Sequence, residues 1–297
     1  MVPYIELIRE LVMAKALTIN DFFKRFPTDE ACLAHLFALR YGSDYGCPKC
    51  GVIGAFRKLA KHPAYTCNCG HHIHPMQGTI FQDSHTPLTK WFYALYLFTT
   101  TRHGVPSKEM QRQLGVSYPT ALRMTHLIRK HMASTDGNPS LGGHVEVDET
   151  YVGGHKKGGR GGRDASEKVA VFGMVERGGD IMNMVVSDVT AKTLVGKIKR
   201  NVEAGTVISS DEWKAYSGLV KAGYKHGTVK HSHEQWVDGI HHTNTIEGFW
   251  GHFKRSIRGT HVSVSRKHLQ KYLGEFEFRY NLRHSPQMMM NRLLATF

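Results

Sequence analysis

The chain has 297 residues, of which 41% are hydrophobic and 10% aromatic. A chain of this length can form two or three small domains, and its hydrophobic content excludes a disordered polymer. Its 39 basic residues outnumber 25 acidic ones and give a formal net charge of +14. Because cationic side chains neutralise phosphates and release counterions, this excess favours a nucleic-acid partner, although charge alone does not establish one.

Membrane insertion and secretion are both disfavoured. The longest apolar run, residues 91–98, is far shorter than the roughly 20 residues that cross a bilayer. Residues 1–17 mix charged with apolar side chains, which predicts an amphipathic helix rather than a secretory signal. Four of the five cysteines lie in one short stretch, which indicates a reducing compartment and a metal site rather than a disulfide framework.

The amino-terminal half alternates helical and turn-rich segments. Apolar spacing predicts helices over residues 18–42, with a second helix start at Thr28. Residues 45–82 have the glycine, proline and aromatic content of short strands and tight turns, and residues 87–133 predict three helices. The sequence DGNP at residues 136–139 then predicts a linker.

From residue 144 onward, strands separated by glycine-containing turns replace this pattern. Three β-rich runs come first, a helix and one short strand follow, and two helices come last. This order predicts an α/β domain with a mixed sheet. The predicted strands are residues 144–152, 169–175, 181–186 and 206–210, and the predicted helices are residues 191–202, 243–257 and 268–282.

Four cysteines form two closely spaced pairs, Cys47 with Cys50 and Cys67 with Cys69. Two such pairs can supply four thiolates to a tetrahedral Zn²⁺, which would provide the folding free energy that so small a module lacks. We therefore predict a structural zinc ribbon, with four unrelated free thiols as the alternative. The fifth cysteine, Cys32, lies among apolar residues and is expected in a core. The nearby histidines that can substitute as ligands are His71, His72 and His74.

Residues 107–132 have the proportions of a helix-turn-helix with its turn at Gly115. Ser107 and Ser117 are predicted to cap the two helices. The second helix would present polar and basic side chains to a major groove, and the alternative is a plain helical hairpin with a solvated basic face. These side chains are Tyr118, Thr120, Arg123, His126, Arg129 and Lys130.

Two aspartates lie on or directly after predicted strands. In residues 144–152, Val145 and Val147 face one side of the strand and Asp148 faces the other. An acid inside an otherwise good strand is unusual, because aspartate disfavours β-structure. Asp211 follows a short apolar strand at its carboxyl end, which is where ligands bind in open α/β sheets.

A third acid, Glu247, lies on the predicted helix over residues 243–257. At about 100° per residue it lies at the edge of the apolar stripe, about 100° from Ile246. Asn244 is close by, and Lys254 lies about 20° from Glu247 around the helix. A carboxylate, an amide and an ammonium group are therefore expected together where the helix meets the sheet.

Each acid alone has an ordinary structural interpretation, such as a strand-end turn cap or a pair with Lys254. Together, two strand-borne aspartates and a helix-borne glutamate suit a two-metal phosphoryl-transfer site, because Mg²⁺ prefers oxygen ligands and clustered carboxylates need cations. Two ions about 4 Å apart can activate a water or a 3′-hydroxyl and stabilise the leaving oxygen. Of the neighbouring acids Glu146, Glu149 and Glu212, the last two are predicted to face away from their aspartates.

Two further segments have open interpretations. The glycine-rich basic run over residues 153–163 either contacts phosphate or forms a solvated hairpin tip. The histidines between residues 226 and 242 are expected to be solvated, with His242, beside Asn244, as the nearest candidate for a metal contact.

In these residues the chain resembles the DDE transposases of bacterial insertion sequences, in particular the zinc-ribbon-bearing ISXO-two-like group. The resemblance extends over nearly the whole chain, and the order of the blocks makes it specific. The blocks are FPTDEACLAHLFALRYG, CPKCG, YTCNCGHHIHPMQGTIFQDSHTPLTKWF, VEVDETYVGG, SSDEWKAY, HTNTIEGFWGHFKR and YLGEFEFRYN.

The resemblance, taken with the predicted elements, implies an α/β fold in which an RNase H-like mixed-sheet catalytic domain follows three smaller modules. The expected segments are a helical segment over residues 1–44, a zinc ribbon over 45–84, a helix-turn-helix-like region over 85–135 and the catalytic domain over 140–297.

The resemblance further implies that Asp148, Asp211 and Glu247 form the catalytic triad and bind Mg²⁺ or Mn²⁺, beside the structural Zn²⁺. Some members of the wider group carry Asn at the third position, so Glu247 is the acidic version. Lys254 matches a position where such transposases often carry a basic residue that contacts DNA. Further DNA contacts are expected from Asn244, Arg123, Arg129 and Lys130.

The implied function is the binding of terminal inverted repeats and the cutting and joining of double-stranded DNA by a homo-oligomer. The expected location is the bacterial cytoplasm, in association with the nucleoid and without a membrane partner. Two alternatives remain at this point: a catalytically silent DNA-binding regulator built from the same modules, and a nuclease without strand transfer. The intact acids argue against the regulator, whereas the nuclease would use the same carboxylates.

Overall fold

The computed structural model describes residues 17–137, 140–153 and 168–296. The predicted amphipathic helix over residues 1–17 and the basic run over residues 153–163 lie almost entirely outside these described residues. Among the described helices, none is long and apolar enough to cross a membrane.

The elements follow the predicted order, with three short strands among the first helices and five strands later. The elements of the first half are α1 (Ile19–Arg25), α2 (Asp29–Tyr41), β1 (Phe56–Lys58), β2 (Tyr65–Cys67), β3 (His72–Ile73), α3 (Leu88–Thr100), α4 (Ser107–Leu114) and α5 (Tyr118–Thr135). The later elements are β4 (His144–Gly153), β5 (Lys168–Glu176), β6 (Ile181–Val185), α6 (Ala191–Asn201), β7 (Val207–Asp211), β8 (Lys225–Val229), α7 (Asn244–Ser256), α8 (Arg266–Asn281) and α9 (Met289–Ala295).

The described chain divides into two compact units. The first unit consists of the residues up to His131 together with those from Leu282 onward. The second unit is Met132–Asn281. The expected catalytic domain extends to residue 297, whereas the residues from Leu282 onward cluster with the first unit, where α9 packs against α2 and α3. The end of the second unit therefore lies earlier than the sequence suggested.

In the first unit, Thr18 and Thr28 cap α1 and α2 with their side-chain oxygens, as predicted at Thr28. Strands β1, β2 and β3 form a three-stranded antiparallel sheet. The ring of Phe37 on α2 stacks on Tyr65 of β2 with centroids 4.0 Å apart. The expected boundary between residues 44 and 45 therefore separates two elements that are packed together.

Helices α4 and α5 form the predicted pair, with Gly115 ending α4 in the left-handed conformation. The backbone N–H of Thr120 donates to Ser117 Oγ at 3.3 Å, which confirms Ser117 as a cap. The prediction that Ser107 caps α4 is wrong, because the helix already begins at Ser107. The Ser107 hydroxyl is instead hydrogen-bonded to the Thr125 hydroxyl at 2.8 Å.

The second unit contains a five-stranded mixed sheet in the order β6-β5-β4-β7-β8. The pairs β4–β5 and β5–β6 are antiparallel, and the pairs β4–β7 and β7–β8 are parallel. Strand β8 was not predicted, because its sequence KHGTV has a glycine and no apolar alternation. The sheet itself confirms the predicted mixed α/β architecture.

Two separate cores cover the faces of this sheet. Val145 and Val147 belong to one core together with α6 residues such as Leu194, so the predicted alternation along β4 is confirmed. The opposite core joins β5 to α7 and α8. It contains the whole predicted apolar stripe of α7, which is Ile246, Phe249, Trp250, Phe253 and Ile257.

Side chains of α8 cover the free edge of β6. Three of them accept hydrogen bonds from alternate backbone N–H groups of β6, each at 2.8 Å, so this edge is not open to another strand. The acceptors are Gln270, Glu277 and Asn281, which pair with Val185, Asn183 and Ile181 respectively. Burial raises the pKa of Glu277 to about 8, although the hydrogen bond from Asn183 opposes the shift.

Glu277→Gln tests this buried carboxyl. Because its pKa is about 8 in the folded protein against an ordinary 4.5, the stability that it contributes is present below pH 4.5 and is lost as the pH rises through 8. The Gln variant should escape this loss, which amounts to at most about 1.4 kcal/mol per pH unit in the wild type. Urea unfolding of both proteins from about pH 5 to pH 9 measures the difference, and parallel pH profiles would contradict it.

Candidate active site

The four paired cysteines of the first unit converge as predicted. Their sulfur atoms all lie within 4.8 Å of one another. The Cys47–Cys69 and Cys50–Cys67 sulfur pairs are each 3.6 Å apart. Four sulfurs bound to Zn²⁺ at about 2.3 Å in a tetrahedron lie about 3.8 Å from each other, so the spacing fits a structural zinc ion. Cys32 is fully buried in the core, as expected, and is not part of this cluster.

Zinc content tests the cluster. The purified full-length chain should contain one Zn²⁺, and Cys67→Ala should lose it and unfold the ribbon, because the metal supplies most of the ribbon's folding free energy. Cys32→Ala is the matched control and should retain the metal. Elemental analysis together with thermal unfolding checks this, and a Cys67→Ala protein with full zinc content would exclude Cys67 as a ligand.

Strand pairing brings the two predicted aspartates together in the second unit. The parallel pairs run from His144 with Val207 to Glu146 with Ser209. Two residues further along, Asp148 and Asp211 are close enough for the negative charge of Asp211 to raise the pKa of Asp148. Asp211 ends β7, as the sequence predicted, whereas Asp148 lies in the middle of β4.

A glycine lets α7 lie close to Asp148. Gly173 on β5 is the cross-strand partner of Asp148. A Cβ atom at Gly173 would lie 2.5 Å from the ring of Trp250, so any larger residue would push α7 away from the sheet. Close helix-to-sheet packing at this point brings the Glu247 helix to the aspartates.

The carboxylates interact electrostatically. The pKa of Asp148 is raised well above its usual range, first by burial and then by the negative charges of Glu149, Asp211 and Glu247. Burial lowers the pKa of Lys254, and the Asp148 carboxylate opposes this shift. Asp148 therefore lies within electrostatic range of Asp211, Glu247 and Lys254. The carboxylate oxygens of the three acids are more widely spaced than the cysteine sulfurs. Among the described residues, the cysteines are the group whose ligand atoms are close enough together to hold one metal ion.

Two residues that the sequence did not single out hold the Glu247 carboxylate, which is 43% exposed. The Thr243 hydroxyl donates to Glu247 Oε1 at 2.7 Å. His231 Nε2 lies 3.3 Å from the same oxygen and 3.2 Å from the Thr243 hydroxyl. The Trp236 ring packs against His231 with centroids 4.8 Å apart. The expectation of solvated histidines is therefore wrong for His231. Its partners Thr243 and Glu247 are distant in sequence, and only the folded chain brings them into contact with its ring.

Glu146, on β4, is fully buried. Its carboxylate caps the amino-terminal end of α7, the helix that carries Glu247. The N–H groups of Thr245 and Ile246 donate to Glu146 Oε2 at 2.8 and 3.1 Å. These belong to the first turn of α7, and the side chain of its N-cap residue, Thr243, accepts no hydrogen bond from a backbone N–H of that turn. Glu146 thus supplies the missing acceptor and a negative charge at the positive end of the helix.

Arg177 completes this arrangement. Its Nε donates to Glu146 Oε1 at 2.7 Å. Its two terminal nitrogens donate to the backbone oxygens of Ile240 and His242 at 2.6 and 3.0 Å. The His242 ring also lies 3.0 Å from Glu146, so His242 faces this structural carboxylate. Sequence inspection placed Glu146 on the Asp148 face but did not show this role.

Glu146→Ala tests the anchor. The change leaves the Arg177 charge and two helix N–H groups unpaired, so the free energy of unfolding should fall by about 3–5 kcal/mol. Glu212→Ala is the matched control, because Glu212 is exposed and its hydrogen bonds, such as that from Ser232 N–H, are at the surface. That control should cost less than about 1 kcal/mol. Urea unfolding measures both, and equal losses would show that Glu146 is not an anchor.

The prediction that Glu149 faces away from Asp148 is confirmed. Its carboxylate accepts a hydrogen bond from the Tyr216 hydroxyl at 2.7 Å, and Tyr216 belongs to the core on the other face of the sheet. Asn244 is exposed at the start of α7, one turn before Glu247 and Gly248. Asn244 thus lies on the same first turn as the third acid.

In the helix pair of the first unit, the prediction of an exposed Arg129 is wrong. Arg129 is fully buried. Its guanidinium lies over the Phe98 ring at 5.1 Å and donates to the Val105 backbone oxygen at 2.9 Å. It is therefore a core residue and is not available to a DNA groove. Arg123 and Lys130 are exposed as predicted.

Comparisons with known proteins agree with this arrangement. Residues 140–281 match the ISXO2-like transposase domain, and residues 27–72 match the transposase zinc-ribbon domain. The matched segments cover the five-stranded sheet and the cysteine cluster. Residues 140–281 are thus a transposase domain. The chain therefore matches two domains of zinc-ribbon-bearing ISXO2-like transposases, which together span 188 of its 297 residues.

Two relatives have comparable identity. An uncharacterised protein in transposable element ISH50 of Halobacterium salinarum is 27% identical over 287 residues, covering 89% of this chain and 94% of the relative. An uncharacterised transposase-like protein of Haemophilus influenzae is 27% identical over 101 residues, covering 34% of this chain and 80% of the relative. Among solved structures, the Mos1 strand transfer complex has a TM-score of 0.32 at 11% identity, covering 69% of this chain and 77% of that chain. A TM-score this low does not define a shared fold.

Proposed function

We propose that this chain is a metal-dependent DNA transposase that cuts phosphodiester bonds and joins the resulting 3′ ends to target DNA. The observation that carries the proposal is that Asp148, on the central strand of the sheet, lies within electrostatic range of Asp211, Glu247 and Lys254. The matches to a transposase domain and a transposase zinc ribbon, and the relative in a transposable element, support it. The strand order, with two antiparallel and two parallel pairings, supports an RNase H-like catalytic domain.

The same three carboxylates would hold Mg²⁺ or Mn²⁺. Burial, and after it the negative charges of the neighbouring acids, raises the pKa of Asp148, and a bound divalent cation would offset both effects. When bound, such ions supply an activated oxygen nucleophile at neutral pH and neutralise charge on the phosphate. Thr243 and His231 orient Glu247, and Glu146 holds the helix that carries it.

The remaining cationic residues are assigned to DNA. Lys254 is half-buried beside Asp148, so it would contact a phosphate next to the bond that is cut. Asn244 would meet the DNA from the first turn of α7. In the first unit, Arg123 and Lys130 would serve a helix-turn-helix that, with the zinc ribbon, recognises the terminal inverted repeats. The net charge of +14 suits double-stranded DNA, on which the chain would act as a homo-oligomer.

Substitution of the acids tests the proposal. Asp148→Asn, Asp211→Asn and Glu247→Gln should each reduce Mg²⁺-dependent cleavage by on the order of 10³-fold, because each removes a ligand for charge-stabilising ions. The substrate is a plasmid that carries the gene with its flanking genomic DNA, and cleavage is scored on gels. Glu212→Gln is the matched control, since it removes an exposed acid next to Asp211. Full cleavage by any of the three variants would sink the assignment.

Two further readouts accompany this assay. Mg²⁺ should raise the thermal unfolding midpoint of the wild type but not of Asp148→Asn. The affinity for DNA should be nearly the same in the wild type and in this variant. Joined donor–target products distinguish a transposase from a simple nuclease. DNA binding without any nicking in Mg²⁺ or Mn²⁺ would instead identify a catalytically silent regulator.

A further inference from the structure

One stretch of the second unit combines a high positive charge with an absence of acidic residues. Residues 248–274 contain six lysines and arginines and no aspartate or glutamate, so they carry +6 of the net charge of +14. The stretch covers most of α7, the turn after it and the first part of α8. Its cations are Lys254, Arg255, Arg258, Arg266, Lys267 and Lys271.

Helices α7 and α8 form a hairpin that gathers these cations at one end. Ring contacts join Phe249 to Tyr280 and Phe253 to Phe276, with centroids 5.6 and 5.2 Å apart. The two helices therefore lie side by side in opposite directions, and the end of α7 lies beside the start of α8. Four exposed cations at this end form what we call the hairpin patch. They are Arg255, Arg258, Arg266 and Lys267.

A tight turn closes the hairpin beside this patch. Ile257–His261 form one π-helical turn. Val262 follows with φ 64° and ψ −56°, and the Ser263 N–H donates to the His261 backbone oxygen at 2.7 Å, which makes a γ-turn. This backbone is costly for a β-branched residue, and burial does not offset the cost because Val262 is 81% exposed. π-Helical turns and strained residues are both frequent in functional segments.

The cations of the stretch repel one another. Of the described residues, none forms an ion pair with a side chain of the hairpin patch. Burial, and after it the positive charge of Arg258, lowers the pKa of Lys254. Burial, and after it the charges of Lys271 and Lys267, lowers the pKa of His268. A phosphate backbone would relieve this repulsion, because its negative charges repeat at short intervals.

The start of α8 shows the same excess of positive charge. Arg266 and Lys267 lie in its first turn, which contains no acidic residue. Cations at the amino-terminal end of a helix are unfavourable, because the free backbone N–H groups there already carry partial positive charge. This placement lowers the stability of the helix, and a bound anion would offset that loss.

The hairpin patch continues from the active site along α7. Arg258 follows Glu247 by eleven residues, which is about 16 Å of helix, and lies within about 20° of it around the axis. Lys254 lies between them on the same side. Gly251 leaves room there for Arg255, because a Cβ atom at Gly251 would lie 3.1 Å from the Arg255 guanidinium. Duplex DNA with one phosphate at the carboxylates would therefore reach the patch within about five base pairs of 3.4 Å each.

We propose that the hairpin patch binds the phosphate backbone of duplex DNA independently of its sequence. Arginine and lysine contacts to phosphates position a duplex without reading its bases. This inference rests on the proposed DNA-cutting function, because it places the contact a few base pairs from the phosphate at the carboxylates. It gives the second unit its own grip on DNA of arbitrary sequence, which is what a target for joining presents.

The salt dependence of binding counts the phosphate contacts. The full-length protein, without divalent metal, is titrated with a random-sequence duplex over a range of salt concentrations. Each lost contact should reduce the slope of log affinity against log salt by about 0.9. Arg258→Ala should therefore reduce the slope by about one, and the triple alanine variant at Arg255, Arg258 and Arg266 by about two to three. The triple lysine variant, which keeps the charges, should retain most of the slope.

Arg200→Ala is the matched control. Arg200 is an exposed arginine in the last turn of α6, which packs on the opposite face of the sheet, so its removal should leave the slope unchanged. Circular dichroism confirms that each variant is folded, and Arg258→Ala alone carries the test if the triple variant is not.

A second probe, a duplex from the DNA that flanks the gene, checks the independence from sequence. The triple alanine variant should lose the same slope on both probes. An unchanged slope in this variant, an equal loss in Arg200→Ala or a loss confined to the flanking-DNA probe would overturn the proposal. Because the assay scores binding without divalent metal, a failure of cleavage would count against the proposed function and not against the hairpin patch.

Discussion

Glu146 joins three parts of the second unit through one buried carboxylate. It lies on β4, accepts hydrogen bonds from the first turn of α7 and pairs with Arg177 beyond the end of β5. A buried carboxylate is stable only when charges and donors compensate it, and here a guanidinium and two helix N–H groups do so. The strand that carries Asp148 and the helix that carries Glu247 are held together by this group.

Two kinds of acid thus lie two residues apart on one strand. Glu146 is fully compensated and stabilises the fold, whereas Asp148 is buried among like charges that raise its pKa. The apolar stripe of α7 and the hydrogen bonds to Glu146 together hold this helix on the sheet near the uncompensated acids. In a site that binds divalent cations, the carboxylates are expected to repel one another when no ion is bound.

The first unit is stabilised by different interactions. The strands of the cysteine module are only two or three residues long, so a metal held by the four sulfurs would add most of its stability, with stacking of Phe37 on Tyr65 as a second contact. The Arg129 side chain shows the limit of charge patterns in the neighbouring helices. Its cation is in the core because the Phe98 ring and the Val105 carbonyl oxygen receive it, and neither is near it in sequence.

The sequence by itself determined the local features: the helix starts at Thr28 and Ser117, four of the five strands of the sheet, the cysteine pairs, the apolar stripe of α7 and the three candidate acids. Periodicity and spacing report which side of an element is apolar and which residues are neighbours along the chain. Only the tertiary structure decided that Glu146 is the anchor, that His231 meets Glu247, that β8 completes the sheet and that α7 and α8 form a hairpin with its cations at one end. These depend on contacts between segments far apart in sequence. Such contacts arise from strand register and helix docking, which no local pattern encodes.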